Sequence, residues 1–84
     1  MNNTIIRMVP VTADYQPLSP VSLVGSVTLS ALPSNTGDVF FRGDDGSDVP
    51  WIAGQWHDFS RVDLSQIFIK GTPGDVISVI GGTW

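Results

Sequence analysis

The sequence predicts an all-β domain: a small antiparallel β-sandwich or jelly-roll-like barrel with an extended N-terminal arm. Three observations carry this reading. Apolar residues recur at every second position in several short runs, the period of a strand with one buried face. Turn residues separate those runs at short, regular spacing, with nine glycines and six prolines in 84 residues. All eight acidic residues are aspartates, which favour turns, and glutamate, a helix former, is absent.

Ile5 to Val9 reads as a first short strand. Pro10, Pro17 and Pro20 then keep the following chain extended and out of a central ladder position, so residues 1–20 form an N-terminal strand and arm, with Tyr15 and Leu18 available for docking. Residues 21–84 form the β domain proper. Within it Leu23, Gly25, Val27 and Leu29 alternate with Val24, Ser26, Thr28 and Ser30, a half-buried strand. Pro33 to Gly37 is a turn, Asp38 to Arg42 a strand, and Gly43 to Asp48 a polar loop. Val49 to Trp56 turns around Gly54 into a strand over Trp56 to Phe59. Gln66 to Lys70 and Val76 to Ile80 are the closing strands, joined by Gly71 to Asp75.

Three of these strands carry apolar residues on both faces. With Val39 and Phe41 inward, Phe40 faces out; Phe68 lies opposite Ile67 and Ile69; and in Val76–Ile80 both faces carry apolar residues. Double-faced apolar strands need cover on both sides, from a second sheet or from another subunit. A chain this short buries only roughly 60% of its unfolded surface, and it has no cysteine to staple it. Self-association is therefore expected, in closed cyclic form.

Charge narrows the function. Four basic residues against eight acidic ones give a net charge of −4, and the four cannot form a phosphate-neutralising stripe, so nucleic acid is not an expected partner. No apolar run approaches the roughly 20 residues of a membrane helix, and the N-terminus lacks the basic and apolar regions of a secretory signal. The lack of cysteine fits synthesis in a reducing cytoplasm.

No catalytic site or cofactor is expected. His57 and Asp58 are a possible base and orienting carboxylate, but strand geometry sends them to opposite faces and no nucleophile completes the set. Asp44, Asp45 and Asp48 lack the spacing of a calcium loop and read as a polar hairpin. The tryptophans are more telling, because tryptophan anchors interfaces and stacks on sugars. Trp56, near His57 and Phe59, suits a core position. Trp51, between Pro50 and a glycine turn, suits an exposed position, and its replacement by alanine is expected to weaken assembly while leaving the fold intact.

Over residues 21–81 the chain resembles a type of small tailed-phage virion protein. The likeness rests on Asn35-Thr36-Gly37 leading into Val39-Phe40-Phe41 and Gly43, then Ile52-Ala53-Gly54-Gln55, then Asp63-Leu64-Ser65 before Ile67 to Gly71, and last Gly74-Asp75 opening Val76 to Val79. Residues 1–20, the Trp51 and Trp56 pair and the end Thr83-Trp84 depart from it. The resemblance implies a structural protein of the virion, a decoration (cement) protein on the capsid surface or a spike base, with the major capsid protein or another virion protein as partner. It also implies a homotrimer, matching three-fold positions of an icosahedral shell. The expected contact residues are Ile5, Ile6, Met8, Tyr15, Phe40, Trp51, Phe68 and Trp84. The alternative is a carbohydrate- or receptor-binding module with Trp51 and Trp56 as stacking platforms.

Overall fold

The computed structural model describes residues 3–83. They form eight strands: β1 (Asn3–Pro10), β2 (Gln16–Pro17), β3 (Val24–Ala31), β4 (Val39–Arg42), β5 (Val49–Trp51), β6 (Trp56–Asp63), β7 (Phe68–Lys70) and β8 (Val76–Thr83), with one turn of 3-10 helix at Leu64–Gln66. Two four-stranded antiparallel sheets result, one ordered β1-β8-β3-β6 and the other β2-β7-β4-β5. The pairs β1 with β8, β2 with β7, β3 with β6 and β4 with β5 are nested one inside the next. The chain thus runs out along one path and back along another, and the long double strand is divided between the sheets.

Period-2 alternation sets the core. In β3 Gly25, Val27, Leu29 and Ala31 are buried in turn, in β4 Val39 and Phe41, and in β8 Ile77 and Val79. Ile5, Val11, Leu18, Trp51, Leu64 and Ile69 join them in one cluster fed by both sheets. Burying a large aliphatic side chain is worth roughly 1.5–3 kcal/mol, so this cluster is the main source of stability in a chain without cross-links.

The first segment is part of this body. Asn3–Pro10 pairs residue for residue with β8, and Ile5 is only 1% exposed. The contact role expected for Ile5 is therefore corrected: Ile5 lies in the core, with Val9 packed against it. Beyond β1 the chain stays extended and crosses to the other sheet, held by the Val11 amide donating to the Asp75 carbonyl at 2.9 Å and the Leu18 amide donating to the Ile67 carbonyl at 2.9 Å.

Strand β6 continues past Phe59, where the alternation appeared to end. Its register with β3 shifts between Gly25 and Val27, because one extra residue bulges from the strand. Arg61 takes a left-handed φ of 53°, and its amide donates to the Ser26 hydroxyl at 3.1 Å. Phe59 and Val62 both pack on the core although they are three residues apart, a spacing that a strict period of two does not recognise.

Candidate functional site

Register decides which side chains share an outer face. On the β2-β7-β4-β5 sheet, Phe40 lies opposite Lys70 and Arg42 opposite Phe68, while Pro17 lies opposite Phe68 from the other side. Phe40 and Phe68 are half-buried there. Tyr15 crosses the same face, its ring 4.0 Å from the Arg42 guanidinium and 4.8 Å from the Lys70 ammonium, a cation–π arrangement. The Tyr15 hydroxyl donates to Asp48, which also accepts from Arg42 at 2.8 Å. Burial, then the Asp48 carboxylate, push the Tyr15 hydroxyl pKa up. The hydrogen bonds from Tyr15 and Arg42 hold the Asp48 carboxyl below its ordinary value. Asp48 thus ties Tyr15 and Arg42 to the loop before β5.

The β1-β8-β3-β6 sheet has its own outer face. Ile6 lies opposite Ile80, and Met8 opposite Ser78; farther across, Thr28 faces Asp58 and Ser30 faces Trp56. Ile6 is 72% exposed, Met8 60% and Ile80 57%. The apolar side chains are concentrated on β1 and β8, while Ser26, Thr28, Ser30 and Asp58 make the middle polar.

The two tryptophans exchange the places expected for them. Trp51 is 4% exposed and Trp56 59%. Trp51 pairs with Val39 in register and so points inward. Its ring stacks on Phe41 with centroids 3.8 Å apart and meets the edge of His57 at 5.0 Å. The interface role assigned to Trp51 is corrected by this burial, and with it the shared platform of Trp51 and Trp56. A signal for Trp56 was present: it has the same strand parity as Asp58 and Ser60, two polar residues that mark the outward face. Of the expected contact residues, Ile6 and Met8 share one outer face, Tyr15, Phe40 and Phe68 the other, and Trp84 lies outside the described residues.

His57 and Asp58 do point apart. His57 sits against Trp51 with its Nε2 3.3 Å from the Gln55 amide nitrogen, whereas Asp58 accepts from the Thr28 hydroxyl on the outer face. Between β4–β5 and β6 opens a cleft of about 370 Å³ whose walls include Phe41, Trp51, Phe59 and His57.

The motifs that carry the resemblance are clasps of the fold. The Asn35 side chain donates to the Val76 carbonyl at 3.0 Å and accepts from the Val76 amide at 2.9 Å. Asp75, buried, accepts from the Thr36 and Gly37 amides at 2.9 and 3.1 Å. The Asn-Thr-Gly turn and the Gly-Asp strand opening thus bind each other. Pro73-Gly74 makes the intervening turn, with Gly74 at φ 100° where a side chain would be strained. Asp63 likewise caps the 3-10 turn through the Ser65 amide at 3.0 Å, and accepts from the Ser22 hydroxyl at 2.8 Å and the Leu23 amide at 3.1 Å. These bonds seat Leu64, fully buried, in the core.

The clasps make stability acid-sensitive. Hydrogen bonds from Ser65, then Ser22, lower the Asp63 pKa to about 2, from an ordinary 3.8. The Thr36 amide leads in lowering that of Asp75. A carboxyl with a depressed folded pKa releases its proton more readily in the folded chain, so the unfolded chain binds more protons as pH falls. The stabilisation is complete above about pH 4 and is lost as pH falls towards the folded pKa of about 2. Thermal unfolding followed from pH 6 to pH 2 should show the midpoint falling through this window. Asp63→Asn should lower the midpoint at pH 6 and flatten the acid slope; an unchanged slope would refute the assignment.

Comparison with protein-family models, curated proteins and solved structures finds no match for this chain.

Proposed function

We propose that this chain is a non-enzymatic structural protein of a bacteriophage particle, a small jelly roll that decorates or cements the capsid surface through protein–protein contacts. The observation that carries the reading is the strand order. Nested pairs 1–8, 2–7, 3–6 and 4–5, divided between sheets ordered 1-8-3-6 and 2-7-4-5, correspond to a long hairpin wound into two Greek keys, an eight-stranded design that recurs in viral capsid and lectin domains. Fold alone does not fix function, so the docking argument rests on surfaces. Phe40 and Phe68 present apolar area on a sheet whose charges, Arg42, Lys70 and Asp48, are already engaged with Tyr15 or each other. That face is offered to the major capsid protein or another virion protein. The Asp44 to Asp48 loop keeps net negative charge towards solvent, which favours solubility. Synthesis in the host cytoplasm precedes assembly on the particle.

The test is binding of the purified chain to particles that lack it. The unaltered chain should bind saturably, while Phe40→Asp and Phe68→Asp should weaken binding by at least about tenfold with unfolding temperatures retained, as at an interface anchor. Equal binding by all three proteins would remove this face from the contact.

A second reading, a glycan-binding module, is favoured by the cleft beside Phe59 and His57, whose aromatic walls suit the apolar face of a sugar. A glycan array separates the two: selective binding that Phe59→Ala abolishes supports the module, and uniform absence of binding supports the decoration protein.

A further inference from the structure

The four sheet edges are unlike one another. Strand β2 has two residues, and its Pro17 has no amide to offer; β5 has three, with Pro50 at its centre. Strand β6 is bulged at Arg61 and carries Asp58 and Asp63. Proline, brevity, bulges and charge are the devices that keep edges from pairing. Strand β1 is neither short nor bulged, and its single charge is Arg7. It runs eight residues in unbroken register with β8, and its one proline is the last residue.

The register also tells which backbone groups of β1 are free. The Val11 amide donates to the Asp75 carbonyl, marking that pair as hydrogen-bonded. Antiparallel pairs alternate, so the odd residues of β1 bond to β8. The Leu32 amide donating to the Val76 carbonyl agrees, placing the even residues of β8 towards β3. The amide and carbonyl groups of Thr4, Ile6 and Met8 therefore face outward along the edge, and Ile6 and Met8 also carry the exposed apolar side chains of β1. No aspartate lies in β1 or β8, so two copies of net charge −4 can meet here without opposing carboxylates.

We propose that β1 pairs with β1 of a second copy, joining the two β1-β8-β3-β6 sheets into one continuous sheet. Since the other edges are blocked, pairing between identical chains joins the same edge to itself, and such an isologous contact closes at two copies. It takes the place of the three-fold assembly that shell symmetry alone suggests. Charge selects the register. Placing Met8 opposite Ile6 would set Arg7 against Arg7 and bring Pro10, without an amide, opposite Thr4. Placing Ile6 opposite Ile6 sets Thr4 against Met8 and Arg7 against the uncharged Ile5, and makes about six backbone hydrogen bonds.

The absence of cysteine from the chain makes the test direct, and no particle is needed. In a hydrogen-bonded antiparallel pair, facing Cα atoms are about 5.5 Å apart, within the range of a disulfide. Ile6→Cys should oxidise to a covalent dimer at least about tenfold faster than Val21→Cys, a control of similar exposure, 66% against 72%. Sedimentation of the unaltered chain at tens of micromolar should give a two-copy mass. Met8→Pro removes an amide that bonds nothing within its own sheet, and should give a folded, one-copy species. A one-copy mass for the unaltered chain overturns the proposal. So does a three-copy mass, equal oxidation rates for the two cysteine variants, or a folded Met8→Pro protein that still sediments as two copies. Should Met8→Pro fail to fold, the cysteine pair decides.

Discussion

Trp51→Ala is expected to remove about 3–5 kcal/mol of stability, the range for truncating a buried aromatic residue, and to leave little or no folded protein. Small domains hold only about 5–15 kcal/mol in total, and one of this size lies towards the lower end. The indole is enclosed by Phe41 at 3.8 Å, by the His57 edge, and by Phe59, parallel to it at 6.4 Å. It therefore links β5 to β4 and bridges to β6 of the other sheet. Urea denaturation monitored by circular dichroism measures the loss. Trp56→Ala, on the outer face, should change stability by no more than about 0.5 kcal/mol, as exposed substitutions do. A folded Trp51→Ala protein with near-normal stability would return that residue to the surface.

Gly81→Ala should be as damaging, through backbone contact. A methyl group at Gly81 would lie 2.1 Å from the Ser26 carbonyl oxygen and 2.7 Å from the Val27 Cα. Both belong to the neighbouring strand, so no side-chain rotation relieves the overlap, and β3 and β8 must separate where they hold the centre of their sheet. Overpacking commonly costs about 1–3 kcal/mol where side chains can yield; here the backbone itself is in the way, and the loss should reach or exceed the upper figure. Gly43→Ala, with open space around the added methyl, is the control. Thermal unfolding of both variants measures the difference, and a Gly81→Ala protein as stable as Gly43→Ala would show that the strands are not so close.

Most strands were legible in the sequence because their local signals agree. Val27 and Leu29 alternate with Thr28 and Ser30, and Pro73-Gly74 meets the demands of its turn. Phe40 and Phe68 were assigned to an outer face because the period of two leaves them no other. What escaped reading depends on phase between elements. Trp51 and Trp56 lie on either side of a turn, and which one is inward follows from the pairing of Val39 with Trp51, a contact between residues distant in sequence. The end of β6 was hidden by a one-residue bulge, and β2, with two residues, is too short to show any period. The resemblance motifs were visible as turns, but that Asn35-Thr36-Gly37 and Gly74-Asp75 bind each other is a property of the folded chain. The candidate surfaces were half legible: residue type marked Ile6, Met8, Tyr15, Phe40 and Phe68, while only register divides them between two faces.

A decoration protein must be found on the particle. Low-resolution reconstructions of phage particles assembled with and without this chain test that most directly. The account predicts discrete extra density at repeated positions on the outer surface of the shell, absent when the chain is withheld and restored when the purified protein is added back. Identical density in both preparations, with no copy of the chain in purified particles, would contradict it.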